Sequence, residues 1–257
     1  MILDTFATKL GMTQAWTKKG QRLAVTRVSL DEMAVVGKQE VSVLDKNSQL
    51  KQTLPCTILE VGHGTKKLKN MKKPLRSKLE KGGFSFGYQI IEGVRVVDDK
   101  ANPATETDYK VGDVIASDSI LSVGDVVQVQ GVTKGHGFAG AMKRHGFHGG
   151  PATHGQSDRS RAVGSIGQRT TPGRVWLGKK MPGHFGDVTK SVSGLVVLHI
   201  DTTKKEIWLS GPIPGSIMSE VKISKTGKKK NIELDLTASN LPAVQEKAEE
   251  ATQESAE

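Results

Sequence analysis

Three groups of residues have types and spacings that could do chemistry. Gly135-His136-Gly137-Phe138-Ala139-Gly140 follows a Val-rich stretch and has the spacing of a dinucleotide-binding turn, whose glycines let backbone N–H groups close on a phosphate. Such a turn must open a helix and lead, about 20 residues on, to a strand carrying an acid. Here Gly146, Gly149, Gly150 and Pro151 interrupt any helix, and Ser157-Asp158-Arg159-Ser160-Arg161 offers no strand. The glycines fit better as a place where the chain leaves a strand and turns tightly against a phosphate backbone. His145, His148 and His154 are metal-ligand types, but a transition-metal site needs three or four ligands in a fixed shell, and no cysteine lies near them. Contact with phosphates or base edges, or plain solvation, suits them better. No Ser/His/Asp set or carboxylate pair sits on a recognisable rigid turn, so the chain does not read as an enzyme. Asp158 and Asp187 are expected to be local partners of arginines.

What remains is positive charge on a glycine-rich thread. Residues 131–190 hold 14 glycines, 10 Lys and Arg, two Asp and five of the seven histidines. So little apolar content cannot offset the entropy of ordering such a segment as a compact body. A polyanionic surface could order it, with Lys and Arg binding phosphates. That describes a loop threaded into RNA. The cations expected to carry it are Lys134, Lys143, Arg144, Arg159, Arg161, Arg169, Arg174, Lys179 and Lys180, with His145 beside them and Gly167, Gln168 and Arg169 at the tip. Trp176, among Arg174, Lys179 and Lys180, would either pin the loop's returning limb against its outgoing one or stack on an unpaired base.

The whole chain agrees with a nucleic-acid partner. Its 257 residues carry a net charge of +10, and hydrophobic residues make up 36%. Aromatics, at 4%, are too few for a single-strand stacking platform. No apolar stretch is long enough to span a bilayer, and the N-terminus lacks a signal-peptide pattern, so a cytoplasmic location is expected. The lone Cys56 cannot form an intrachain disulfide and is expected to be a small buried core thiol.

Short β-strands must position the loop. Stretches 23–29, 57–61 and 90–96 are β-branched and bounded by glycine or charge. Lys110–Ile115 and Ser122–Val127 each place Gly-Asp before a Val-rich strand, which suits neighbouring strands of a barrel. Leu195–Ile200 and Glu206–Leu209 flank the polar turn 201–205 as a hairpin with Trp208 in the core, and 221–223 could close the sheet. The expected fold is mainly β: a small closed Greek-key-type barrel with a long glycine-rich basic loop inserted between strands, plus minor helical pieces. Residues 1–130 and 191–225 form the barrel body, 131–190 the RNA-threading loop, and 226–257 a mobile tail, acidic from 240, where Asn240 could cap a short helix. Within the body, 64–82 is a basic appendage, a solvated helix or a further RNA contact.

Gly164-Ser165-Ile166-Gly167-Gln168-Arg169-Thr170-Thr171-Pro172-Gly173-Arg174-Val175, continuing through Gly178-Lys179-Lys180-Met181, closely resembles the third protein of the large ribosomal subunit in its bacterial form. Thr133-Lys134-Gly135, Gly137–Gly140, Lys143-Arg144, Ala152–Gly155 and Lys9-Leu10-Gly11-Met12-Thr13 match as well, so the resemblance spans roughly 5–225. It implies a six-stranded barrel at the outer face of the large subunit and an extension running inward towards the peptidyl transferase centre. It also implies a role early in subunit assembly and, at Gln168, N5-methylation of the amide by a glutamine methyltransferase. The implied partners are large-subunit ribosomal RNA and neighbouring ribosomal proteins, with no cofactor, metal, membrane or small-molecule substrate. Ala7 stands where the family often has glycine, and Asp187 close to where it commonly has arginine. A free RNA chaperone or regulator using the same cations is the alternative.

Overall fold

The computed structural model describes residues 3–44, 53–96, 109–116, 120–235 and 237–239. Its strands are β1 (Asp4–Trp16), β2 (Arg22–Leu30), β3 (Met33–Leu44), β4 (Thr53–Lys66), β5 (Gly87–Arg95), β6 (Val114–Ile115), β7 (Asp125–Val132), β8 (Phe138–Ala139), β9 (Gly183–His184), β10 (Thr189–Asp201), β11 (Glu206–Ser210) and β12 (Glu220–Lys229). Two helices accompany them, α1 (Lys73–Lys81) and α2 (Ala141–His145), with a 3-10 turn at Leu68–Asn70. The chain is mainly β, as its sequence indicates. It forms two compact units: Met1–Gly131 with Lys190–Glu257, and Val132–Thr189.

In the first unit, six strands close on one another in the order β1-β12-β7-β10-β11-β2. β7 shows why these residues make strands: Val127, Val129 and Gly131 point inward and their neighbours outward, the two-residue period of a strand with one buried face. Val28, Val127, Val129, Val197, Ile207, Leu209, Val221 and Ile223 fill the interior. Ala7 is fully buried among them, so a methyl group fills core space at the position where glycine was the family expectation. The expected hairpin forms between β10 and β11, with Asp201 opposite Glu206 and the Asp201 carboxylate accepting the Thr203 and Lys204 N–H groups in the turn. Trp208 lies in the core, packed with Ala15, Val25, Val196 and Leu198.

Three expectations need correcting. The strands at 57–61 and 90–96 are not in the barrel; they lie in a second sheet of order β5-β4-β3-β6. The two Gly-Asp-Val stretches are not neighbours either, because β6 pairs with β3 while β7 lies between β12 and β10. Their likeness is one of turn chemistry: Asp113 accepts the Lys110 N–H and Asp125 the Ser122 N–H, three residues back in each case. The body also runs beyond 225, since β12 continues to Lys229 and Leu234, buried, bridges to Thr17. Residues 240–257, with the expected Asn240 cap and the acidic charge, lie outside the described residues, as does the Cys56 side chain.

Two buried charges hold this unit together. The Lys9 ammonium, 8% exposed, donates to the Ile213 and Gly215 carbonyls at 2.9 Å each. Asp125 is fully buried; its Oδ2 accepts from Lys225 at 2.8 Å and from the Ser122 N–H and hydroxyl. Burial alone would raise the Asp125 pKa, but the Lys225 ammonium and the Ser122 donors outweigh it and hold the carboxyl below its ordinary range. A depressed folded-state pKa contributes stability above the unfolded value and loses it as pH falls through the folded one. Asp125→Ala should therefore lower unfolding stability by about 3 kcal/mol at neutral pH, because it strands Lys225 without its anion. Urea unfolding from neutral pH into acid should show the difference from wild type shrinking as Asp125 protonates.

Candidate nucleic-acid interface

The Val132–Thr189 unit starts from its two limbs. The Thr133 N–H donates to the Val188 carbonyl at 3.0 Å and the Asp187 N–H to the Thr133 carbonyl at 3.2 Å. His136 and Phe185 continue the ladder, the His136 N–H donating to the Phe185 carbonyl and the Phe185 N–H to the Gly137 carbonyl. β8 and β9 then pair Phe138 with His184 and Ala139 with Gly183. Rings cover the ladder, with His136 stacked on Phe185 and Phe138 edge-on to His184. The limbs come so close that a Cβ on Gly186 would lie 2.1 Å from the Lys134 carbonyl oxygen. Only glycine fits there, at φ +79°.

Beyond the ladder, α2 runs for only five residues and stops at Gly146, left-handed, whose N–H donates to the Met142 carbonyl. This is too short for the helix that a dinucleotide-binding turn requires, so the glycine spacing at 135–140 is not followed by the rest of that motif. From α2, Arg144 Nη1 donates to the Met181 carbonyl at 2.8 Å, and His145 Nε2 lies 3.1 Å from the same oxygen. Two of the expected RNA-binding residues thus also tie the limbs together. An arginine has five N–H donors, so Arg144 keeps others for a ligand. Further out, the Gly150 N–H donates to the Ser160 carbonyl, and the Ser165 hydroxyl to the Gly167 carbonyl just before Gln168.

The segment is therefore organised, contrary to the expectation from composition, but by backbone bonds and ring pairs rather than a core. Only Ala139 and Ala141 are buried within it. Its cations face outward: Lys134, Lys143, Arg159, Arg161, Arg169, Arg174, Lys179 and Lys180 are all exposed, and so is Gln168. Among the described residues one acid meets them, Asp158 at 3.8 Å from Arg159, both largely exposed and so of little energetic weight. Asp187 instead takes a positive φ of 53° within the ladder, where its N–H donates to the Thr133 carbonyl. The arrangement is an acid-poor set of exposed long cationic side chains on a backbone with little bulk, which suits close approach to phosphates.

Trp176 is 63% exposed and Leu177 98%. A pin between the limbs would be buried, so that reading of Trp176 is set aside. An exposed ring among cations keeps the stacking alternative.

Comparison with known proteins decides the family. A family model described as Ribosomal protein L3 matches residues 12–253. The chain belongs to the ribosomal protein L3 family. Among its relatives, "Large ribosomal subunit protein uL3" of Ralstonia nicotianae is 36% identical over 230 residues, 90% of this chain and 97% of that one. The protein of the same name from Herpetosiphon aurantiacus is 36% identical over 89% of this chain and 98% of its own, and that of Coxiella burnetii 34% over 90% and 98%. These are named as ribosomal proteins and not as enzymes. The family match continues past residue 225 into the acidic tail, further than the motifs alone indicated.

The family motif at the N-terminus gains a physical reading that sequence reasoning missed. In Lys9-Leu10-Gly11-Met12-Thr13, Lys9 is the buried ammonium described above, and the pairing of β1 with β2 shifts register between Lys9 and Gly11. The lysine fixes the loop before β12 rather than facing a phosphate. A lysine inside a strand that otherwise buries Phe6 and Ala7 was the available signal.

Proposed function

We propose that this protein is a structural constituent of the large ribosomal subunit, in the cytoplasm, that binds large-subunit ribosomal RNA through the 132–189 segment. The barrel docks on the RNA surface among neighbouring ribosomal proteins. The loop runs inward towards the peptidyl transferase centre and neutralises phosphates packed closely enough to repel, which supports early assembly. Lys134, Lys143, Arg144, His145, Arg159, Arg161, Arg169, Arg174, Lys179 and Lys180 are the proposed phosphate contacts, with Gln168 at the tip as acceptor for a glutamine methyltransferase. The observation that carries this reading is the exposure of nearly all the cations on an acid-poor segment with almost no core of its own.

Sedimentation of cell lysate tests it. The protein should follow the large subunit and stay with it through a high-salt wash, because threaded contacts are released only when the RNA unfolds. Recovery mainly in free or messenger-bound fractions would favour the RNA chaperone instead.

A further inference from the structure

A second surface concentrates cations, and it lies on the barrel unit. Residues 64–82 carry eight Lys and Arg against the single acid Glu80. Two of the eight have partners inside the protein: Arg76 Nε donates to Glu80 at 2.7 Å, and Lys78 donates to Glu60. Among the described residues no acid pairs with Lys66, Lys67, Lys69, Lys72, Lys73 or Lys81, and all six are exposed.

The segment that bears them is anchored. Leu79 is fully buried against Ala34, Val36 and Tyr88, with Leu68, Met71 and Phe84 packed on the same cluster. The apolar side chains fix the backbone and leave the lysines facing out. Helix stability does not explain where they sit. Lys72 and Lys73 are at the N-terminal end of α1, where the helix dipole disfavours cations, and its first turn holds no acid. A face built for solubility alone would mix both signs.

We propose that this surface, from the end of β4 through α1, is a second RNA contact that takes the sugar-phosphate backbone of folded RNA. It rests on the reading of the chain as a ribosomal-RNA binder and adds a contact outside the loop. Lysine is a compact charge on a flexible stem, suited to phosphates and indifferent to base identity. Of the nearby rings, Phe84 and Tyr88 pack inward and Phe86 is exposed, too few to stack successive bases.

The test uses the full chain, purified large-subunit ribosomal RNA and a salt titration of the binding constant. Each phosphate contact contributes roughly 0.7–0.9 to the slope of log K against log salt. Lys69→Gln, Lys72→Gln and Lys73→Gln together should lower the slope by about 2 to 3 and weaken binding roughly tenfold to a hundredfold near 0.1 M salt. The three Lys→Arg changes should leave the slope intact, which separates charge from folding. A matching loop triple, Arg169→Gln, Arg174→Gln and Lys179→Gln, should lower the slope independently, so that the six changes add. If the loop triple lowers the slope and the helix triple does not, this second contact is refuted and the loop reading stands. If neither does, RNA binding itself is misread. If the helix triple weakens binding only in a chain ending at Ser239, the lysines are held by the protein's own acidic tail, and the proposal is overturned in favour of that occupant.

Discussion

Binding of the protein to purified large-subunit ribosomal RNA should weaken about a thousandfold or more between roughly 50 and 200 mM salt. The expectation comes from counting exposed charge. Lys134, Lys143, Arg159, Arg161, Arg169, Arg174, Lys179 and Lys180 are all exposed, and among the described residues a single exposed aspartate competes for them. If about six to ten cations of the protein each displace condensed counterions, the slope of log K against log salt should be on the order of −5 to −8. Deleting residues 136–185 should remove most of that slope. The barrel should survive the deletion, because Val127, Val197, Leu209 and Ile223 are buried in a core to which the segment contributes no residue. A thermal transition close to that of the full chain, with binding largely gone, is the expected pair of results. A binding constant that barely moves with salt would mean that shape or apolar contact, and not phosphate neutralisation, holds the RNA.

The sequence makes some of this plain and hides the rest, for physical reasons. The β10–β11 hairpin is legible because its turn signal is local: Asp201 caps the turn with its own carboxylate two and three residues on. β3 escapes notice because Met33-Ala34-Val35-Val36 is buried on both faces, Met33 and Val35 towards Phe6 and Leu59, and Ala34 and Val36 towards Leu79 and Tyr88. A strand covered on both sides shows no alternation. Closure of the barrel joins Thr5 to Ile223, and no periodicity reports a pairing across more than 200 residues. In the loop, charge and glycine can be counted, so the outward cations are legible. The clamp of Arg144 and His145 is not, because its acceptor is the Met181 backbone carbonyl, which no side-chain pattern announces. The exposure of Trp176 is hidden for a related reason: without a core in the segment, an apolar side chain has nothing to bury against.

The tip should separate a positioning role from a chemical one. Gln168 is an exposed neutral amide between Gly167 and the exposed Arg169, and the Ser165 hydroxyl bonded to the Gly167 carbonyl shapes the turn that presents it. An amide donates and accepts at once, so it can bridge RNA groups without adding charge. Methylation of its nitrogen would remove one donor and add apolar bulk, which adjusts such a bridge without abolishing it. Gln168→Ala should therefore slow subunit assembly mildly, with peptide-bond formation by completed subunits retained. Arg169→Glu should do far more harm, since on the proposed reading it replaces an attraction to RNA phosphates by a repulsion. Assembly profiles on gradients, together with single-turnover peptide transfer on purified mutant subunits, distinguish the two. The expected order is a small assembly delay for Gln168→Ala and a severe loss of large subunits for Arg169→Glu. Normal assembly with abolished transfer in Gln168→Ala would make this amide part of the reaction and would overturn the structural role argued for the tip.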